Sequence, residues 1–254
     1  MNQPLTKKPI RVGIWQQFPL PMVSRYLGQM GWDWVILDMQ HGCANTETAY
    51  ECLHTLHMAG TTPILRVSVG VPAEVQRALD LGARGVIVPM VNSLAEAQDM
   101  AQAAKYPPLG CRSLGGDAAW HYGEDYPERA NSETLLLVQV EHIDAVNAVE
   151  DVMALPGIDG CFIGPTDLAL SMGLARKDYE QHPAHRAAMT RTLAACRAHG
   201  KLACCNTYSL ADVQEKVSQG FDCLTFKSEA EFFMGAGTSL LAQLRKHTGP
   251  AADR

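Results

Sequence analysis

Short apolar runs rich in valine, isoleucine and leucine recur eight times along the chain, each followed by a polar turn. Within the runs, polar and apolar positions do not alternate strictly, which is typical of strands buried on both faces of an all-parallel sheet. The runs lie at 11–15, 34–39, 63–67, 85–90, 135–141, 160–164, 202–206 and 223–227. The pattern therefore predicts eight parallel strands.

Segments with the apolar spacing of amphipathic helices lie between the strand candidates, at 71–81, 94–104, 145–155, 185–199 and 210–219. Ser93 with Glu96 predicts a helix start, and Gly82 and Gly220 predict helix ends. Alternating strands and helices indicate either a closed barrel or a doubly wound sheet. Eight repeats in 254 residues favour an α/β fold of one domain, a (β/α)8 TIM barrel over 1–254 with its core at about 10–246.

One connection breaks this rhythm. Residues 106–134 are rich in glycine, proline and aromatic residues and show no clear helical pattern. Long irregular segments in compact domains are often functional. We expect this segment to lie at the edge of the sheet where ligands bind and to cover the site, with His121 as a possible substrate contact.

Composition limits the classes of molecule that the protein is expected to bind. The net charge is −6 and no basic run is present, so a nucleic-acid or anionic-membrane surface is not expected and small molecules are. No signal peptide or membrane-length apolar stretch is visible, which predicts a cytoplasmic protein. The eight cysteines are scattered without a CxxC pair and are expected to be free thiols.

Two acids stand where neighbouring strands of the predicted barrel end. Glu141 closes the fifth apolar run and Asp167 follows the sixth. Carboxyl ends of parallel strands meet at one edge, so the two carboxylates would face each other and raise each other's pKa. A hard divalent cation between them, with water or substrate oxygens completing its coordination, is the interpretation we favour.

The same edge carries a cation and a histidine. Arg66 stands near the end of the third run and would face an oxyanion of the substrate, although an internal ion pair with Glu141 or Asp38 is the structural alternative. His41 lies three residues after Asp38, and a bond between its imidazole and that carboxylate would free the other ring nitrogen for proton transfer. A packing or capping role is the alternative for His41.

The turn at Gly164, Pro165, Thr166 and Asp167 opens a helical segment after the sixth run. Its backbone N–H groups would hold a substrate carboxylate, as helix N-termini do. Gln139 stands at the end of the fifth run and is expected to contact the same substrate.

Five motifs, found in order, carry a resemblance. They are DMQHG (38–42), ILRV (64–67), GARGVIVPMV (82–91) with YPPLGCRS (106–113), VQVE (138–141) and GCFIGPTDLALSMG (160–173). Together they look like the HpcH/HpaI family of metal-dependent aldolases, over most of the chain. Gln40 departs from the pattern, because many members carry glutamate there.

The resemblance implies a phosphoenolpyruvate/pyruvate-like modified barrel, a homohexamer built as a trimer of dimers, and class II aldolase chemistry on 4-hydroxy-2-oxo acids, giving pyruvate or hydroxypyruvate and an aldehyde. It implies Glu141 and Asp167 as ligands of Mg²⁺, Mn²⁺ or Co²⁺. Arg66 would contact the keto oxygen, and His41 with Asp38 would handle the proton.

Three alternatives stay open at this stage. A Schiff-base aldolase would use Lys227 at the end of the eighth run, provided that this lysine is desolvated and not paired with Glu229 or Glu231. A citrate-lyase-like or malyl-CoA-lyase-like enzyme would need a surface that binds coenzyme A. A binding protein that kept the barrel and lost turnover has only Gln40 in its favour.

Overall fold

The computed structural model describes residues 10–116 and 121–249. Eight parallel strands form a closed barrel in chain order, β1 to β8, with helices between them. The strands span Arg11–Gln16, Trp34–Asp38, Thr62–Arg66, Gly85–Val88, Leu135–Val140, Gly160–Ile163, Leu202–Thr207 and Cys223–Ser228. The predicted (β/α)8 barrel is confirmed.

The helices, numbered here α1 to α11, cover the outside of the barrel. They span Pro21–Gln29, Thr46–Met58, Pro72–Asp80, Leu94–Ala104, Tyr126–Glu133, Ile143–Asn147, Val149–Ala154, Pro165–Ser171, Pro183–Ala198, Leu210–Gln219 and Glu229–Thr248, and a 3-10 turn spans Tyr179–Gln181. The capping box predicted at Ser93 and Glu96 is present. The helical pattern at 145–155 is divided between two short helices, α6 and α7.

Apolar side chains fill two layers. Trp34, Ile64 and Phe162 lie inside the barrel, and a larger cluster lies between the strands and the surrounding helices. The packing of β1 against β2 at Gly13 is tight, because a Cβ there would lie 2.4 Å from the Trp34 ring. All eight cysteines are free, as expected, and six of them are buried.

The predicted position of the 106–134 segment is wrong. The segment follows α4, which returns the chain to the N-terminal edge of the strands, and it packs there: Arg112 pairs with Asp80 at 2.9 Å and Tyr122 donates to the Gly82 carbonyl at 2.6 Å. It also contains the helix α5, whereas no helix was predicted. Part of the segment, 117–120, lies outside the described residues.

His121 shares that location. Its ring lies 4.5 Å from the ring of His54 on α2, far from the carboxyl ends of the strands. The described part of the segment, 106–116 and 121–134, therefore does not cover the predicted site, and His121 lies too far from it to contact a substrate there.

The last helix, α11, is largely uncovered. Only Glu229 in its first turn is buried, and Phe233, Met234, Leu240, Leu241 and Leu244 are each more than half exposed. Apolar side chains of α1 and α10 are exposed as well, including Met22, Met30 and Leu210. Across the described ranges, every helix is too short or too polar to cross a bilayer.

Candidate active site

A cavity of about 280 Å³ opens at the carboxyl ends of the strands. It is lined by residues of seven strands or of the turns and helix starts that follow them: Trp15, Gln17, Asp38, Arg66, Gln139, Phe162, Gly164, Asp167, Asn206, Tyr208, Ser228 and Glu231. We call it the substrate cavity. Most of the site residues predicted from the sequence meet in its walls.

Arg66 and Asp38 form a buried, two-point ion pair. The Arg66 Nε donates to Asp38 Oδ1 at 2.9 Å and its Nη2 donates to Oδ2 at 2.6 Å, across paired positions of β2 and β3. The guanidinium also lies 4.4 Å from the centre of the Trp15 ring. Two bonds and a stacked ring fix the orientation of Arg66, so that its remaining N–H groups are presented to the substrate cavity.

The expected bond between the His41 imidazole and Asp38 is not formed. Asp38 Oδ1 instead accepts the backbone N–H groups of Gln40 at 3.0 Å and His41 at 3.2 Å, besides the bond from Arg66. This arrangement is the turn that aspartate commonly makes with the backbone two and three residues on. The ion pair with Arg66, weighed above as an alternative, occupies the carboxylate, and His41 remains an exposed side chain at the same edge.

Glu141 is buried and held in one orientation. Its Oε1 accepts the Met90 N–H at 2.9 Å and its Oε2 accepts the Gln139 amide at 2.6 Å. Burial raises the pKa of Glu141, and the nearby charge of Asp167 raises it further. The charge of Arg66 acts on Glu141 in the opposite sense, and a cation between the two acids would supply the further positive charge that two carboxylates need.

Asp167 lies in the first turn of α8 and is exposed. The approach of this turn to Glu141 depends on Gly164, because a Cβ there would lie 3.1 Å from the Glu141 Cβ and Oε2 atoms. Glu141 and Asp167 both line a further cavity of about 310 Å³, together with Gln40, His41, Met90, His142 and Ser171. The structure thus brings the two predicted metal ligands together, with His41 beside them.

The donor set fits a hard divalent cation. Two carboxylates with open space between them suit Mg²⁺ or Mn²⁺, which take oxygen ligands and retain several waters or substrate oxygens. Nowhere in 10–116 and 121–249 do three or more histidine, cysteine or acidic side chains form a complete metal cage. Glu141 and Asp167 would therefore hold the ion with help from water and substrate.

Gln139 supplies an unsatisfied acceptor. Its side chain is 2% exposed, its amide nitrogen is used by Glu141, and its Oε1 has no hydrogen-bond partner in the structure. Buried polar atoms without partners are uncommon in folded proteins and usually await a ligand or water. Because Gln139 lines the substrate cavity, its free oxygen is available to a donor group there.

Several residues of the site were not predicted. Met90, whose backbone N–H orients Glu141, adopts a positive φ of 54°, which is uncommon for residues other than glycine. Tyr208 follows β7 and lines the substrate cavity. Their residue types give no signal of either role, although the position of Tyr208 after a strand could have indicated it.

Lys227 does not line the substrate cavity, and its ammonium lies 5.6 Å from the Phe226 ring. Its expected partners are engaged elsewhere: Glu229 accepts the backbone N–H groups of Gln17 and Phe18, and Glu231 caps α11 at Ser228. The geometry gives no support to Schiff-base chemistry at this lysine.

Comparison with known proteins decides the family. The family model described as HpcH/HpaI aldolase/citrate lyase matches residues 11–227, which is most of the chain. The chain belongs to the HpcH/HpaI aldolase/citrate lyase family. Its class as a carbon–carbon lyase, expected from the sequence, is confirmed.

Relatives of this HpcH/HpaI chain carry aldolase names. It is 31% identical over 250 residues to a hydroxypyruvate/pyruvate aldolase of Agrobacterium fabrum, covering 96% of this chain and 92% of that protein. It is 34% identical over 195 residues to a 4-hydroxy-2-oxo-heptane-1,7-dioate aldolase of Salmonella arizonae, covering 75% and 73%. A solved HpcH/HpaI aldolase/citrate lyase family protein from Burkholderia cenocepacia superposes with a TM-score of 0.85 at 29% identity, covering 93% and 95%.

Proposed function

We propose that this protein is a divalent-metal-dependent aldolase that cleaves 4-hydroxy-2-oxo acids reversibly to pyruvate or hydroxypyruvate and an aldehyde. The observation that carries the proposal is the meeting of the buried Glu141, Asp167 and the fixed guanidinium of Arg66 at one edge of the barrel. The names of the relatives that are more than 30% identical support aldol chemistry over an acyl-CoA lyase.

Each residue has a role in this proposal. A bound divalent cation, Mg²⁺, Mn²⁺ or Co²⁺, would supply Lewis-acid polarisation of the keto group. Arg66 faces the oxygen that becomes negative as the enolate forms, and its two bonds to Asp38 hold it ready for that charge. His41 accepts the proton from the methyl group, directly or through water.

The 2-oxo acid is held by the remaining residues. The backbone of Gly164, Pro165, Thr166 and Asp167 begins α8, where a carboxylate is favoured by the N–H groups and by the helix dipole. Gln139 contributes its side chain at the same cavity. The substrate is therefore recognised at its carboxylate and oxo group, which every 4-hydroxy-2-oxo acid shares.

Metal removal tests the proposal. Cleavage of a 4-hydroxy-2-oxo acid should stop in EDTA and return when Mg²⁺, Mn²⁺ or Co²⁺ is restored. Glu141→Gln should raise the metal concentration for half-maximal rate by at least about tenfold, because even the outer partners of metal sites are worth that much. Glu150→Gln, an exposed acid paired with Arg191, is the matched control and should behave as the wild type.

Full activity in EDTA would contradict the metal role. Trapping of pyruvate on the chain by borohydride would restore the Schiff-base alternative at Lys227. Absence of any cleavage or addition with metal restored would favour the binding protein that has lost turnover.

We also propose that the chain forms a homo-oligomer, a hexamer built as a trimer of dimers. The support is the exposed apolar surface of α11, together with the exposed apolar side chains of α1 and α10. Large contiguous apolar surfaces on a folded chain usually mark protein contacts. Light scattering should give six times the mass of the chain. The cytoplasmic location stays a prediction.

A further inference from the structure

A second cavity adjoins the substrate cavity. Its volume is about 370 Å³, and Tyr208 lines both spaces. The other walls come from Thr166 at the start of α8 and from the segment that follows this helix. A molecule that extends beyond Tyr208 from the substrate cavity would enter this space, which we call the outer cavity.

Hydroxyl groups form the boundary between the two cavities. The Thr166 Oγ1 lies 2.9 Å from the Tyr208 hydroxyl and 3.0 Å from the Tyr179 hydroxyl. Phenol hydroxyls are protonated at neutral pH, so both tyrosines can donate hydrogen bonds. Thr166 precedes Asp167, which places this chain of hydroxyls next to the reacting centre.

Every residue in the wall of the outer cavity carries a polar group, and the wall has no excess of positive charge. Arg176 contributes one cation, whereas Asp178 and Glu180 contribute two carboxylates, and Gln181 adds an amide. Carboxylates and amides accept hydrogen bonds from hydroxyl groups, and the guanidinium and amide donate them. A neutral molecule with several hydroxyl groups would satisfy this lining, whereas a second carboxylate would meet a net negative charge.

The opposite side of the site is less suitable for an aldehyde. The cavity beside His41 contains both Glu141 and Asp167, so that an ion held by these acids, with its waters, would fill it. The space beyond Tyr208 contains neither Glu141 nor Asp167. The two sides of the site therefore differ in what they can accommodate.

We propose that the outer cavity binds the acceptor aldehyde, that this aldehyde is hydroxylated and uncharged, and that Tyr208 sets this preference. The inference rests on the proposed aldolase function. In the synthetic direction a bond forms between the methyl carbon of pyruvate and the aldehyde carbon. The methyl carbon loses one proton to the base and the aldehyde oxygen gains one, so no oxidant or reductant is needed. The product is a polyhydroxylated 2-oxo acid.

Competing acceptors test the preference. The kcat/KM for addition of pyruvate should be about tenfold higher with glyceraldehyde than with propanal or succinic semialdehyde, because one or two hydrogen bonds distinguish the hydroxylated aldehyde. A preference for succinic semialdehyde or propanal would overturn the inference.

Two substitutions in the outer cavity test whether its residues cause the preference for a hydroxylated aldehyde. Tyr208→Phe and Asp178→Asn should each lower the ratio of the glyceraldehyde rate to the propanal rate by about tenfold. Tyr122→Phe makes the same chemical change at the opposite end of the barrel, where the hydroxyl contacts the Gly82 carbonyl, and should leave that ratio unchanged. A ratio that does not move in Tyr208→Phe and Asp178→Asn would overturn the assignment of the outer cavity.

An assay without aldehyde tests enolate formation separately from aldehyde binding. Exchange of the pyruvate methyl protons in D₂O, followed by NMR, reports enolate formation alone. Each variant's addition rate is divided by its own exchange rate, which removes effects on the pyruvate half of the reaction. Exchange with an unaltered acceptor preference rejects the outer cavity and leaves the aldolase proposal standing, whereas loss of exchange in the wild-type holoenzyme rejects both.

Discussion

The two ends of the barrel each bury a cation, but they use it differently. At the N-terminal end, Lys105 is 2% exposed and its ammonium donates to the carbonyls of Asn131 and Thr134 and to Asp159, at 2.9–3.1 Å. At the other end, Arg66 is 7% exposed and donates two hydrogen bonds to Asp38, while its other N–H groups line the substrate cavity. A buried cation whose N–H donors are all used in hydrogen bonds contributes to stability. A buried cation with unused N–H donors can bind a ligand.

The surroundings of the two cations differ less than the cations themselves. Gln139 and Gln40 at the carboxyl ends of the strands each have a buried oxygen without a hydrogen-bond partner, and Met90 adopts a positive φ. Around Lys105, Asn131 exchanges hydrogen bonds with the backbone of Tyr106, and Arg84 pairs with Glu133. The hydroxyl of Tyr106 nevertheless has no hydrogen-bond partner, so buried polar atoms without partners occur at both ends of the barrel.

The largest expected effect is the loss of catalytic rate when Arg66 is substituted. Arg66→Lys keeps the charge beside Asp38 but loses the two-point geometry, so kcat for the aldol reaction should fall by about 100-fold or more while the melting temperature changes little. Steady-state kinetics and calorimetry on the same preparation measure both quantities. A loss of less than threefold in kcat would show that Arg66 is a structural ion pair.

The next effect is on stability at Lys105. Lys105→Met removes the donor shared by two buried carbonyls and Asp159, and should lower the free energy of unfolding by about 1–3 kcal/mol. Denaturant unfolding measures it, and kcat of the folded fraction should stay near the wild-type value. Lys177→Met, at an exposed position outside the helices, is the control and should change stability by less than about 0.5 kcal/mol. If Lys105→Met proved as stable as Lys177→Met, the two ends would not differ as we describe.

The smallest effect concerns His185 on α9, whose Nε2 donates to the Pro165 carbonyl at 3.0 Å beneath the site. Burial lowers the pKa of His185, so the folded state favours the neutral ring. The stability that this provides is present above the ordinary histidine pKa of about 6.5 and is lost as the pH falls through the lower folded value. His185→Gln should therefore flatten the fall in melting temperature between pH 7 and 5.5. A slope equal to that of the wild type would exclude His185 as the cause.

The sequence allowed the barrel and most of the site to be predicted, because strand ends in a parallel barrel converge on one edge. The position of residues 106–134 was predicted wrongly, although the helix at 94–104 was itself predicted. A parallel connection that contains a helix returns the chain to the opposite edge, so the segment after α4 had to lie at the N-terminal end.

The contacts of Asp38 show a different limit of prediction from the sequence. The spacing of Asp38 and His41 is compatible with a bond to the imidazole or with bonds to the backbone, and side-chain identity does not distinguish them. The outcome depends on Arg66, which lies at the paired position of the next strand. Such competition between partners is decided by the register of the sheet, which local sequence does not contain.

The carboxylate of Glu229 has a consequence for how copies of the chain would meet. By accepting the N–H groups of Gln17 and Phe18, it fastens the first turn of α11 to the end of β1, while the nineteen residues that follow project with little support from their own barrel. The direction in which α11 starts is thus fixed before the helix contacts another chain. Two chains would meet with this helix already formed and its apolar side chains exposed, which lowers the ordering entropy that association otherwise loses.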